Sequence, residues 1–104
     1  ISGQVAFDPK TDTLVLDNIE NETKQVMENL KAILESVNAT FENVIKTSIF
    51  LSDMDNFVKV NGVYGSYFNE DTAPARETVE VARLPKDVNV EISMIAELLP
   101  SPVI

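Results

Sequence analysis

The sequence has no histidine and no cysteine. Without cysteine there are no disulfides, no thiolate nucleophiles and no zinc–thiolate sites. That absence agrees with a reducing compartment and a cytoplasmic protein. Without histidine the commonest general base and the commonest metal ligand are missing, and a Ser/His/Asp triad is excluded. Positive charge is scarce: eight lysines and arginines face 17 acidic residues, for a net charge of −9. Nucleic acid and anionic membrane surfaces both call for a basic patch, so neither is an expected partner. With only three glycines there is no Gly-rich phosphate loop. No apolar run is long enough to span a bilayer, and no basic start leads into an apolar stretch as in a signal peptide.

What the chain does have is enough apolar material for one core: 44% of 104 residues, with an ordinary 24% charged. Residues 1–7 carry Val5 and Phe7 in alternation and read as a strand; 8–12 read as a turn and 13–16 as a second short strand, together a hairpin. Over 19–38, Val26, Met27, Leu30, Ile33, Leu34 and Val37 fall at helical spacing. Asp17 or Asn18 can cap this helix, Glu20 and Glu22 suit the positive end of its dipole, and Asn38 can close it in a left-handed conformation. Residues 43–52 read as a third strand with Ile45, Thr47, Ile49 and Leu51 on one face.

A second helix, about 55–69, has Phe57, Val60, Tyr64, Tyr67 and Phe68 on one face; Gly62 and Gly65 weaken it and suggest close packing. Residues 77–83 and 88–98 read as the last two strands, and their short connection favours a hairpin between them. The order β-β-α-β-α-β-β implies an α+β domain over 1–99, a mixed β-sheet with both helices on one face, followed by a proline-containing tail at 100–104. Val79, Val81 and Ile95 leave the other sheet face partly apolar, which predicts burial of that face in an oligomer.

Three side chains could carry chemistry. Arg76 follows Ala73-Pro74-Ala75 at the mouth of a strand. It reads equally as a surface charge, worth little, or as a fork gripping a carboxylate, for which lysine is no substitute. Glu91 stands mid-strand between Val90 and Ile92, either solvated on an open face or held in a pocket. In the expected hairpin it would come near Arg76, on the same or a neighbouring chain. Asn61 sits within the apolar stripe of the second helix, either a satisfied core amide or a ligand. Asp53 and Asp55 lack the glycine and the final glutamate of a calcium loop and read as turn and cap.

Taken in order, "SGQ" (2–4), "DPKT" (8–11), "NLKAILES" (29–36), "VIKTSIFLSDMDNFVKVN" (44–61), "PAR" (74–76) and "VEVARLPKDVNVEISMIA" (79–96) resemble the Rid or YjgF family, in particular its RidA-like imine deaminases. The resemblance runs through nearly the whole chain. It implies a chorismate-mutase-like fold and a homotrimer with ligand pockets between subunits. It also implies that Arg76 binds a substrate carboxylate, that Glu91 orients or activates water, and that Ser2 and Gly3 line the pocket. Thr78 stands where a cysteine is frequent, and Asn61 supports the pocket.

The family usually begins with a further strand and a loop bearing a pocket tyrosine, which have no counterpart here; strand 1–7 would then keep an unpaired edge and the pocket would be partly open. Glu77 and Ser93 also differ from common family residues, Glu77 pointing by alternation away from Arg76. The implied reaction is hydrolysis of a small 2-imino acid, such as 2-iminobutanoate or 2-iminopropanoate, to a 2-oxo acid and ammonium, with no cofactor and no metal. The alternative is a non-catalytic trimer of the same fold that binds small carboxylates or a partner protein. The endoribonuclease or translation-inhibitor activity attached to some relatives is disfavoured by charge and by the lack of histidine.

Overall fold

The structure is a computed structural model and describes residues 1–98; the tail set apart at 100–104 lies outside the described residues. Seven elements run β1 (Phe7–Asp8), β2 (Thr13–Leu14), α1 (Ile19–Ser36), β3 (Val44–Leu51), α2 (Phe57–Gly65), β4 (Ala75–Glu80) and β5 (Val90–Ala96). Short 3₁₀ turns lie at Phe41–Asn43, Met54–Asn56 and Pro85–Asp87.

Helix α1 forms where its pattern predicts. Asn18 is extended and its side chain accepts from Asn21 N, while Asn38 takes φ 58° just beyond the helix end. Val26, Met27, Leu30 and Leu34 are buried, each stabilising the fold by roughly 1.5–3 kcal/mol. Val37, at the end of the stripe, is half exposed. Helix α2 is shorter than expected, and its apolar face continues through the turn after it. There Tyr67 and Phe68 pack edge-on against Phe41, ring centroids 5.5 and 5.2 Å away. The close packing expected at Gly62 and Gly65 is absent: a Cβ at either would meet no heavy atom within 4 Å.

Both helices lie over one face of a three-stranded mixed sheet, ordered β4-β3-β5. β3 pairs parallel with β4 (Thr47 opposite Arg76, Ile49 opposite Thr78) and antiparallel with β5 (Ser48 opposite Ser93, Phe50 opposite Glu91). The expected β4–β5 hairpin does not form. Strand β4 carries Arg76, Thr78 and Glu80 on the helix-side face and cannot serve as a buried central strand, so it takes the edge. Strands β3 and β5, with Ile49, Leu51, Val90, Ile92 and Met94 all buried, pair directly. The β4–β5 connection instead buries Leu84 and turns through Lys86 and Asp87, both at positive φ.

Two further expectations change. Ile45 does not share the face of Thr47, because the β3–β5 register shifts between Val44 and Lys46; Val44 is buried and Ile45 is 52% exposed. The segment 1–7 is not a continuous strand. It meets β5 at the Gln4–Ile92 bridge and at Ile1, which exchanges hydrogen bonds with Met94, then turns outward, with Ala6 rather than Val5 or Phe7 fully buried. Its carbonyls at Val5 and Phe7 accept from Asn29 Nδ2 on α1, so a helix side chain fixes this stretch. The opposite sheet face, with Phe50, Val79 and Ile95, carries no helix; Val79 and Ile95 are 42% and 56% exposed.

Candidate functional site

Strand β4 presents Arg76 toward one face of α2. Residues 57, 61 and 64 fall together at helical spacing, so Phe57, Asn61 and Tyr64 all reach the guanidinium. Its Nη1 donates to Asn61 Oδ1, and its Cζ lies 5.4 Å from the Tyr64 ring centroid and 5.6 Å from that of Phe57. These contacts stabilise a cation that has no carboxylate within ion-pair distance among the described residues. The two ion pairs among the described residues are Lys46–Glu77 and Arg83–Asp87, so Arg76 has no acidic partner there. Glu77 is turned to the other face, 3.4 Å from Lys46 Nζ and accepting from Ser48 Oγ, as alternation requires. A cleft of about 280 Å³ opens beside Arg76, walled by Asn61, Tyr64, Phe68, Glu70 and Pro74.

Beneath the guanidinium, Tyr64 donates its hydroxyl to Thr47 Oγ1 at 3.0 Å. Burial pushes the Tyr64 phenol up, against the opposing effects of the Thr47 hydrogen bond and of Arg76. Thr78 follows Arg76 on the same face by alternation. Its Oγ1 is buried and has no hydrogen-bond partner among the described residues. A buried hydroxyl left unpaired costs free energy that an incoming polar group can recover.

Ser2, Gly3 and Glu91 form a second group. The Gln4–Ile92 bridge lays Gly3 beside Glu91. A Cβ built on Gly3 would stand 2.7 Å from both Cδ and Oε2 of Glu91, so only glycine leaves the carboxylate its present place. Glu91 is half-buried, and its carboxylate makes no hydrogen bond to any described residue. Ser2 is exposed, its carbonyl accepting from Gln4 Nε2.

Within one chain these two groups do not meet. Arg76 stands opposite Thr47, whose side chain faces α2; Glu91 stands opposite Phe50, three residues along the same strand and therefore on the other face. With β3 between β4 and β5, Arg76 and Glu91 are two strands apart and back to back. Proximity through a hairpin is thereby excluded, and only a neighbouring chain can bring Glu91 to Arg76.

Sequence reasoning missed two features. The apolar pattern gives Phe57 and Tyr64 a face of the second helix and no ligand-side role, although the polar Asn61 in the same stripe marks the face on which Arg76 lies. Glu22 was read as a helix-dipole residue, yet it is fully buried and bound to the start of β5. Among the described residues no three His, Cys, Asp or Glu side chains cluster as metal ligands, and no helix is long and apolar enough to cross a membrane.

Comparison with known proteins gives a consistent answer. Residues 1–98 match the family described as Endoribonuclease L-PSP. A RutC family protein of Synechocystis is 54% identical over 98 residues, covering 93% of this chain and 75% of that protein. The 2-iminobutanoate/2-iminopropanoate deaminase of Salmonella typhimurium is 44% identical over 97 residues, covering 91% of this chain and 75% of the enzyme. The crystal structure of RidA from an Antarctic Psychrobacter superposes with a TM-score of 0.88 at 39% identity, over 94% of this chain and 78% of that one. The family match spans residues 1–98 and the fold agrees over more than nine-tenths of the chain; the chain belongs to the Endoribonuclease L-PSP family, the Rid or YjgF proteins.

Proposed function

We propose that this protein hydrolyses small, reactive 2-imino acids to 2-oxo acids and ammonium, in pockets shared between the subunits of a cytoplasmic homotrimer. The observation that carries the reading is Arg76: a guanidinium anchored by one amide and two rings, in no ion pair with a described carboxylate, over an open cleft that Glu70 also lines. That arrangement suits a ligand carboxylate held by parallel hydrogen bonds. The similarity to a named 2-iminobutanoate deaminase supplies the reaction class.

In this reading Arg76 holds the substrate carboxylate, and the unpaired Thr78 hydroxyl bonds the same end of the ligand. Glu91 of a neighbouring chain, with Ser2 and Gly3 around it, takes a proton from water as the oxygen adds to the C=N carbon. The same proton then goes to the nitrogen of the carbinolamine. The imine enters protonated on nitrogen, so the C–N bond breaks with ammonia as the leaving group while the hydroxyl oxygen forms the carbonyl, and the hydroxyl proton leaves with that ammonia as ammonium. Imines hydrolyse readily unaided, so positioning plus one acid–base group is sufficient. The family's description as an endoribonuclease is a weaker guide to this chain, whose charge is −9 and which has no histidine.

The back-to-back placement of Arg76 and Glu91 gives weight to one rival, a carboxylate-binding module without turnover. The test generates 2-iminobutanoate with a threonine dehydratase and follows semicarbazone formation with the parent protein and Arg76→Ala. The parent should suppress semicarbazone, and Arg76→Ala should lose roughly 10- to 100-fold in kcat/KM, the range expected for a charge-assisted hydrogen bond. Equal rates for the two proteins sink the deaminase reading; equal rates with ligand carboxylates still bound by the parent leave the binding module.

A further inference from the structure

Glu22 is 0% exposed and no cation lies against it among the described residues. A buried carboxylate without a counter-charge is tolerated only where its lone pairs are filled by donors. Here they are filled from one place. Oε2 accepts from Asn89 N at 2.7 Å and Val90 N at 3.0 Å, and Oε1 accepts from Asn89 Nδ2 at 2.8 Å. The Asn89 carbonyl in turn accepts from Ser52 N at 3.2 Å, just past the end of β3. Three donors from two consecutive residues thus fix the entry to β5 on a side chain of α1.

The next residue is Glu91. Its carboxylate has no hydrogen-bond partner among the described residues, so its position follows from the backbone at 90–92 and from the space left by Gly3. That backbone arrives from an irregular connection with two consecutive residues at positive φ, and its register is set by the ladder to β3, with Val90 opposite Leu51 and Glu91 opposite Phe50. Alternation and this ladder decide the face and register of Glu91, and the Glu22 carboxylate ties the first residues of the strand to α1 from the helix side.

We propose that Glu22 is a positioning residue for Glu91, holding the first residues of β5 at the height and angle that place the Glu91 carboxylate. The proposal rests on the reading of Glu91 as the acid–base group. It also reverses the role that sequence alone suggests for Glu22. A residue serving the helix dipole needs its charge, and one methylene less is harmless. A clamp needs its length, and a neutral amide can still serve: the glutamine oxygen would take both backbone N–H groups, and its NH₂ would donate to Asn89 Oδ1 after that amide turns over.

Glu22→Asp and Glu22→Gln are therefore compared with the parent, each below its own unfolding transition. One readout is the ¹³Cδ resonance of Glu91 and its titration in the free protein; the other is kcat and KM for 2-iminobutanoate. The clamp predicts that Glu22→Asp moves the Glu91 resonance and its titration midpoint and lowers kcat about tenfold with KM within about twofold, while Glu22→Gln restores both toward the parent. Should Glu22→Asp not fold, Asn89→Ala removes one of the three donors, and the same displacement of Glu91 is expected. A Glu91 resonance unmoved in the folded variant, or damage by Gln and not by Asp, overturns the proposal. A parent that fails to consume the imine defeats the deaminase reading alone, since the Glu91 resonance still decides the clamp.

Discussion

At the scale of single residues, the sequence marks Arg76 and Glu91 through the motifs around them, while their partners emerge only from packing. Asn61 is the instructive case. In sequence it is an amide in an apolar stripe, open to two readings; in space it accepts from Arg76, with Tyr64 and Phe57 on the same helical face. Thr78 shows the reverse: its place in the alternation is legible, but the lack of a partner for its hydroxyl is not. Gly3 permits a sharp test. An alanine Cβ there would press on the far end of the flexible Glu91 side chain, 2.7 Å from Cδ and Oε2. The carboxylate can swing away at little cost, so Gly3→Ala should change stability by no more than about 0.5 kcal/mol. In the proposed reaction the same swing should lower kcat about tenfold. Urea unfolding and imine hydrolysis on one preparation check both halves; a large stability loss would show that Gly3 serves the fold and not the carboxylate.

At the scale of elements, periodicity predicted the two helices and their buried faces well, because an amphipathic stripe is a local property. Strand order was not legible. Whether β4 pairs with β5 or with β3 depends on which strand can afford burial on both sides, and the polar face of β4 decides that only against the competing strands. The bulge that exposes Ile45 is equally non-local. The junction between helices offers a pH test. Tyr67, just beyond α2, donates its hydroxyl to Glu28 on α1 at 2.8 Å. Burial, then the Glu28 hydrogen bond and charge, push its phenol up to about 12 from 10.0. The folded state therefore holds this proton more tightly than the unfolded chain. The resulting stability is complete below pH 10 and is lost as pH rises toward 12. Lysines titrate in the same range, so the difference from Tyr67→Phe is the measurement. The parent's urea midpoint should fall more steeply than that of the variant between these pH values, and parallel curves would show that the tie contributes nothing.

At the scale of the whole molecule, one sheet face is covered by helices and the other is bare, with Val79 and Ile95 exposed beside Phe50 and Glu91. The same β-sheet that separates Arg76 from Glu91 within a chain makes their meeting between chains the only route to a joint site. A cyclic trimer would pair the Arg76 side of one subunit with the Glu91 face of the next, three times over. This has a consequence that no single-chain site shares. Arg76→Ala and Glu91→Ala, each inactive alone, should regain activity when unfolded together and refolded as a mixture. An intact site needs Arg76 from one chain and Glu91 from its neighbour; in a random equal mixture about one junction in four has both, so about a quarter of parental activity should return. Light scattering on the same samples reports whether trimers have formed. Trimers without regained activity would deny the joint site and with it Glu91's role, and a stable monomer would remove the shared pocket altogether.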